Sequence, residues 1–187
     1  MSSATPPPSG PLILLSGPPG AGKTTITPML AASSRSASVI TIEGDRFWAF
    51  AVRDPRPFKP QFRTLTSSIA GAAVPFAKDG CEVIVDFVVP PWCLKAFTAR
   101  AWTHDVDVHY VVVWPPVDTC ARRAQERSVN PVAYDERVRT FYDRFGGECP
   151  SRHRMAIADV HRSAASIAAE IRSGIDSGAF LLPRDTS

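Results

Sequence analysis

The chain has 187 residues, 44% hydrophobic and 21% charged, which suits one globular domain with a full core and leaves little room for a second. Its formal charge of +3 is mildly basic and its Lys and Arg residues are dispersed, so nucleic acid is not the expected partner. Cys81, Cys93, Cys120 and Cys149 form no CxxC pair and have no histidine at ligand spacing, which argues against zinc, and no apolar run approaches the ~20 residues that span a bilayer.

Residues 1–11 are rich in Ser and Pro and lack a basic start, so a disordered leader is expected rather than a secretory signal. With cysteines read as reduced thiols, the expected location is cytoplasmic. Residues 12–187 are expected to form a single domain, because from Leu12 onward short apolar runs alternate with longer amphipathic stretches. Leu12–Ser16 reads as a first strand, Lys23–Ser33 as a helix and Val39–Ile42 as a second strand. The segment 47–62 carries Pro55, Pro57 and Pro60 among Arg53, Arg56 and Lys59, and is expected to be a flap rather than a helix. A helix over Leu65–Lys78, stopped by Asp79-Gly80, precedes the third strand Glu82–Asp86. Then follow a helix over Pro91–Ala101, a strand over Val108–Val113 and an Arg-rich helix over Val117–Arg127. With the hinge Ser128–Val132 this last helix makes a candidate lid, 117–132. Helices over Tyr134–Phe145 and Ser163–Ser177 flank a weaker fifth strand at Met155–Ala158. The pattern predicts a three-layer α/β/α fold with a five-stranded parallel sheet.

Residues 17–24 read Gly-Pro-Pro-Gly-Ala-Gly-Lys-Thr, a GxxxxGKT motif between an apolar strand and a helix. Such a phosphate loop wraps its backbone N–H groups around phosphates and adds the positive end of the new helix. Gly17, Pro18, Pro19, Gly20, Ala21, Gly22, Lys23 and Thr24 are therefore the expected ATP-binding residues, with Thr25 in support. Lys23 is expected to reach the β- and γ-phosphates, and Thr24 to give its hydroxyl to Mg2+. Asp86, at the end of Val83-Ile84-Val85, has the form of a second magnesium-organising residue; the competing reading is a strand-end cap.

Two phosphate-loop classes fit poorly. Mechanical ATPases place a Glu after the strand-end Asp to activate water, whereas Phe87 follows Asp86. Guanine-specific switches need an NKxD-type base reader, which does not occur, and the DxxG at 143–146 comes too late and inside a helix.

GPPGAGKT at 17–24, Glu43-Gly44-Asp45-Arg46-Phe47-Trp48 after the second strand, Val83-Ile84-Val85-Asp86 at the third, and Arg123 with Arg127 occur in that order. This arrangement resembles the small phosphate-loop kinases that include chloramphenicol phosphotransferase, gluconate kinase and the zeta toxins, over Leu12 to about Phe180. The resemblance implies that Asp45 is a general base facing the acceptor hydroxyl, a role a carboxylate can fill on chemical grounds; the lesser alternative is that Asp45 caps a helix. Arg123 and Arg127 share a helical face and can close together on the phosphates, or form a solvated basic face; Arg122 lies off it. Asp45, Trp48, Arg53, Arg56 and Trp92 are the candidate substrate residues, the tryptophans offering an apolar wall. His104, His109, His153 and His161 form no cluster and receive no role. The expected activity is ATP-dependent transfer of the γ-phosphoryl group to a hydroxyl of a small molecule. The alternatives are a nucleotide-dependent binding protein and a zeta-toxin-like nucleotide-sugar kinase.

Overall fold

The computed structural model describes residues 8–126, 131–157 and 161–184. Their strands form a five-stranded parallel sheet in the order β2 (Val39–Glu43), β3 (Glu82–Asp86), β1 (Leu12–Ser16), β4 (Val108–Trp114) and β5 (Arg154–Ala156). Every residue of β1 and of β3 is buried, as a strand covered on both faces requires, and their apolar runs accordingly show no polar alternation.

Successive side chains of β1 point to opposite faces. Leu12 and Leu14 enter one core with Val83, Val85 and Val112, while Ile13 and Leu15 enter the other with Ile84, Val111 and Val113. α2 (Phe58–Lys78) and α3 (Lys95–Ala101) close the first core through Ile69, Ala73 and Phe97. α1 (Lys23–Ala32), α4 (Val117–Gln125) and α6 (Ala164–Asp176) close the second through Ile26, Ala121, Ile167 and Ile171. α5 (Pro131–Glu148) reaches both, with Val138 in the second and Phe145 in the first. The fold is the three-layer α/β/α sandwich that the alternation predicts.

One buried ion pair fastens the layers. Arg172 of α6 reaches Glu82, the first residue of β3, at 2.6 Å and also donates to the Leu30 carbonyl of α1 at 3.2 Å. At the opposite end of the sheet, Leu15 pairs with Asp86 and Asp86 with Glu43, so the loops after β1, β3 and β2 open onto one rim.

The largest departure from expectation is in segment 47–62. Gly44–Phe50 is a 3-10 helix and α2 begins at Phe58, so the proline-rich stretch is helical at both ends. Pro60 sits in the first turn of α2, where a backbone N–H has no intrahelical acceptor and its loss costs nothing. The helix expected over Pro91–Ala101 divides into a 3-10 turn, Pro91–Cys93, and α3. No helix of the described residues is long and apolar enough to cross a membrane.

Candidate active site

The loop between β1 and α1 is shaped by glycine. Gly20 has φ 78°, in the left-handed region, and a Cβ there would lie 2.2 Å from the Cys120 carbonyl oxygen on α4. The loop therefore seats directly on the α4 backbone. Thr25 and Ile26 each donate their N–H to the Gly22 carbonyl at 3.1 Å, turning the loop into helix without a break. The buried Lys23 Nζ spans the turn, donating to the carbonyls of Gly17 at 3.1 Å and Pro18 at 3.2 Å. α1 carries no acidic residue in its first turn, so the positive end of the helix faces the loop unopposed.

Two carboxylates flank Lys23. Asp86 is 5% exposed, and among the described residues its Oδ2 has no hydrogen-bond partner. Burial pushes its carboxyl pKa up, against the opposing pull of Lys23 and of a hydrogen bond from Thr24; the Asp45 and Glu43 charges push it further up. An orphaned buried carboxylate oxygen beside a threonine hydroxyl is an all-oxygen donor pair of the kind hard cations take, and so fits magnesium.

Asp45 stands on the 3-10 turn after β2. A Cβ on the preceding Gly44 would lie 2.6 Å from the Phe87 ring, so the turn packs onto that ring and carries Asp45 toward the loop. Asp45 keeps solvent contact inside the cleft, yet the surrounding walls displace enough water to push its pKa up. Lys23 opposes that shift and Glu43 adds to it. Glu43 is itself paired with Arg46 at 2.5 Å.

Two cavities adjoin the loop. The larger, about 720 Å³, runs from Pro19 and Asp45 along walls that include Trp48, Phe62, Phe87 and Trp92. Trp48 stacks on Phe58 with centroids 5.8 Å apart, and Phe62 on Phe87 at 5.6 Å. On the opposite wall Trp92 meets Phe141 edge-on at 6.1 Å, under the Arg144 guanidinium 3.9 Å from its centroid. The smaller cavity, about 300 Å³, lies on the other side of the loop between Gly22, Thr25, Arg123 and Arg162.

The fold thus brings Lys23, Thr24, Asp45 and Asp86 together, with Trp48 and Trp92 on the larger cavity and Arg123 on the smaller. Arg127 lies outside the described residues. Arg122 turns away to pair with Glu126 at 3.0 Å. Arg53 and Arg56 are exposed and line neither cavity; Arg56 holds the Asp54 carboxylate, whose pKa it pulls down to about 2, and donates to Thr64 at 3.1 Å. Sequence reasoning missed Phe58, Phe62, Arg63, Phe141 and Arg144. Phe58 and Phe62 stand at i, i+4 on α2, a signal masked by reading the prolines as helix-breaking, and Phe141 and Arg144 stand at i, i+3 on α5.

The family model described as AAA domain matches residues 12–146. None of the curated proteins matches the sequence. Among solved structures, the Mycobacterium tuberculosis APS kinase CysC in complex with AMPPNP and APS is similar with a TM-score of 0.68 at 18% identity, over 91% of this chain and 99% of that one. A sugar kinase from Janibacter sp. gives a TM-score of 0.64 at 14% identity, over 89% and 95% of the two chains. The Deinococcus radiodurans tunicamycin resistance protein gives 0.59 at 17% identity, over 94% and 99%. The chain belongs to the AAA domain family, and its fold is that of the small phosphate-loop kinases.

Proposed function

We propose that this protein transfers the γ-phosphoryl group of ATP to a hydroxyl of a small molecule. The observation that carries the reading is the proximity of Lys23 to the carboxylates of both Asp45 and Asp86, with the larger cavity opening at Asp45. The loop 17–24 and Lys23 would hold the triphosphate, the positive end of α1 facing its negative charge. Thr24 and Asp86 would hold magnesium, which when bound supplies positive charge against the phosphate oxygens. Asp45 accepts the proton that the acceptor hydroxyl loses as its oxygen bonds to phosphorus, and ADP leaves from the opposite side. Burial raises its pKa, the direction that makes the carboxylate a stronger base. Arg123, which lines the adjoining cavity beside Gly22, would add positive charge as transfer proceeds. Phe87, in the position after Asp86, offers water no base.

The test compares wild-type protein with Asp45→Asn, incubated with ATP, magnesium and a library of alcohols, with phosphorylated products read by mass spectrometry. Transfer is expected to fall by roughly 10²- to 10⁴-fold in the variant while ATP still binds. Equal transfer by both proteins removes Asp45 as the base. ATP binding by both without any product favours a nucleotide-dependent binding protein instead.

A further inference from the structure

We infer that the acceptor is a ring-bearing, largely apolar alcohol rather than a sugar, polyol or nucleotide-sugar; this rests on the phosphotransfer reading above. The walls of the 720 Å³ cavity are dominated by aromatic rings: Trp48, Phe58, Phe62, Phe87, Trp92 and Phe141. They form two groups joined by ring contacts. Trp48, Phe58, Phe62 and Phe87 are linked ring to ring on the side of α2, and Trp92 with Phe141 stands on the side of α5. A flat apolar body inserted between them gains offset and edge-on ring contacts as well as burial.

The polar groups on the same walls are few and mostly engaged. The Thr66 hydroxyl donates to the Phe62 carbonyl at 2.7 Å. Arg144 donates to Glu148 at 3.2 Å and lies flat on Trp92. Asp45 stands at the phosphate-loop end, and Arg63 stands at the rim, with no carboxylate partner among the described residues. A sugar carries a hydroxyl on almost every carbon, and each one stripped of water against these rings would lack a partner. One hydroxyl for Asp45, a ring for the aromatic walls and an oxygen-bearing substituent for Arg63 match the two charged side chains, Asp45 and Arg63. The volume lies in the range of drug-sized ligand sites, roughly 300–1,000 Å³.

The test uses 2-naphthylmethanol and 4-(hydroxymethyl)benzoate against glucose, gluconate and a UDP-sugar. Binding is read by calorimetry with ATP and magnesium present, and transfer by phosphorus NMR. The aryl alcohols are expected to bind and be phosphorylated with KM at least about tenfold below that of any sugar. Phe58→Ala and Trp92→Ala, both at partly exposed positions that the fold can lose, should each raise the aryl-alcohol KM by about fivefold or more. Aryl alcohols that bind through Phe58 and Trp92 while no compound is phosphorylated would uphold this acceptor class and remove the phosphotransfer reading. Preferred phosphorylation of a sugar, with the two variants leaving the aryl-to-sugar ratio unchanged, overturns the acceptor class and leaves phosphotransfer standing. No aryl-alcohol binding at millimolar concentration also overturns it.

Discussion

Ser16 and Val89 exchange two hydrogen bonds of 2.9 Å: the Ser16 hydroxyl donates to the Val89 carbonyl and accepts from the Val89 N–H. The last residue of β1 thereby fixes the segment after β3, which lines the larger cavity with Phe87, Val88 and Pro90. Tyr110 Oη adds a third bond to the same carbonyl at 2.7 Å. Ser16→Ala strands the buried Val89 N–H but leaves the Tyr110 bond, so a loss of about 1–3 kcal/mol is expected in urea denaturation. Tyr110→Phe, which leaves both Ser16 bonds in place, should cost less.

The Arg172–Glu82 pair predicts an asymmetry. The two side chains are only 11% and 5% exposed, and Arg172 also lies 4.0 Å from Asp176, so it is removal of Arg172 that leaves a buried charge, Glu82, without its partner. Arg172→Met is expected to cost about 3–5 kcal/mol, and the double variant with Glu82→Leu to recover much of that loss. A double-mutant cycle by chemical denaturation measures it, and purely additive losses would show that the charges are not coupled.

Asp86 is expected to weaken the fold at the pH where the proposed chemistry needs it. Its folded pKa is raised by burial above the ordinary carboxylate value of 3.8, so its contribution to stability is greatest below that value and falls as pH rises through the folded pKa. The charged form is therefore the destabilising one, and Asp86→Asn should raise Tm while abolishing magnesium-dependent transfer. A lower Tm for Asp86→Asn at pH 7 would contradict this.

Asp45 sets the acid limit of the proposed reaction. Burial raises its pKa, so the rate should fall, as pH drops, at a higher pH than an ordinary carboxylate near 3.8 would give. A kcat/KM profile on any acceptor found reads this directly.

His109 and His153 are buried at 8% and 1% exposure, and neither Nδ1 has a partner among the described residues. Burial lowers both pKa values from 6.5. The neutral forms thus favour the fold, a contribution complete above pH 6.5 and lost as pH falls through the folded pKa values. Denaturation midpoints should decline on acidification from pH 7 to 5, and the decline should be shallower in His153→Gln.

The sheet and the phosphate loop were readable in the sequence because both depend on local pattern. The runs Leu12–Leu15 and Val83–Val85 are uniformly apolar, and Gly17, Gly20 and Gly22 all take positive φ, a backbone conformation that side chains disfavour. Asp45 and Asp86 were placed by their positions at strand ends, which a parallel sheet gathers on one rim. The aromatic cavity was not legible to the same degree. Its walls come from the 3-10 turn, α2, the segment after β3 and α5, and no window of sequence shows that Phe62 and Trp92 face one space. The status of Arg56 was equally hidden, since only the folded turn reveals that Asp54 holds its guanidinium.

Phe87 packs against Gly44 on one side and stacks on Phe62 on the other, and it is joined by a peptide bond to Asp86. A guest in the larger cavity that displaced this ring would press both on the turn bearing Asp45 and on the backbone of Asp86. In the proposed reaction, acceptor occupancy and the alignment of the two carboxylates would then be linked through one side chain, a short lever between the halves of the site.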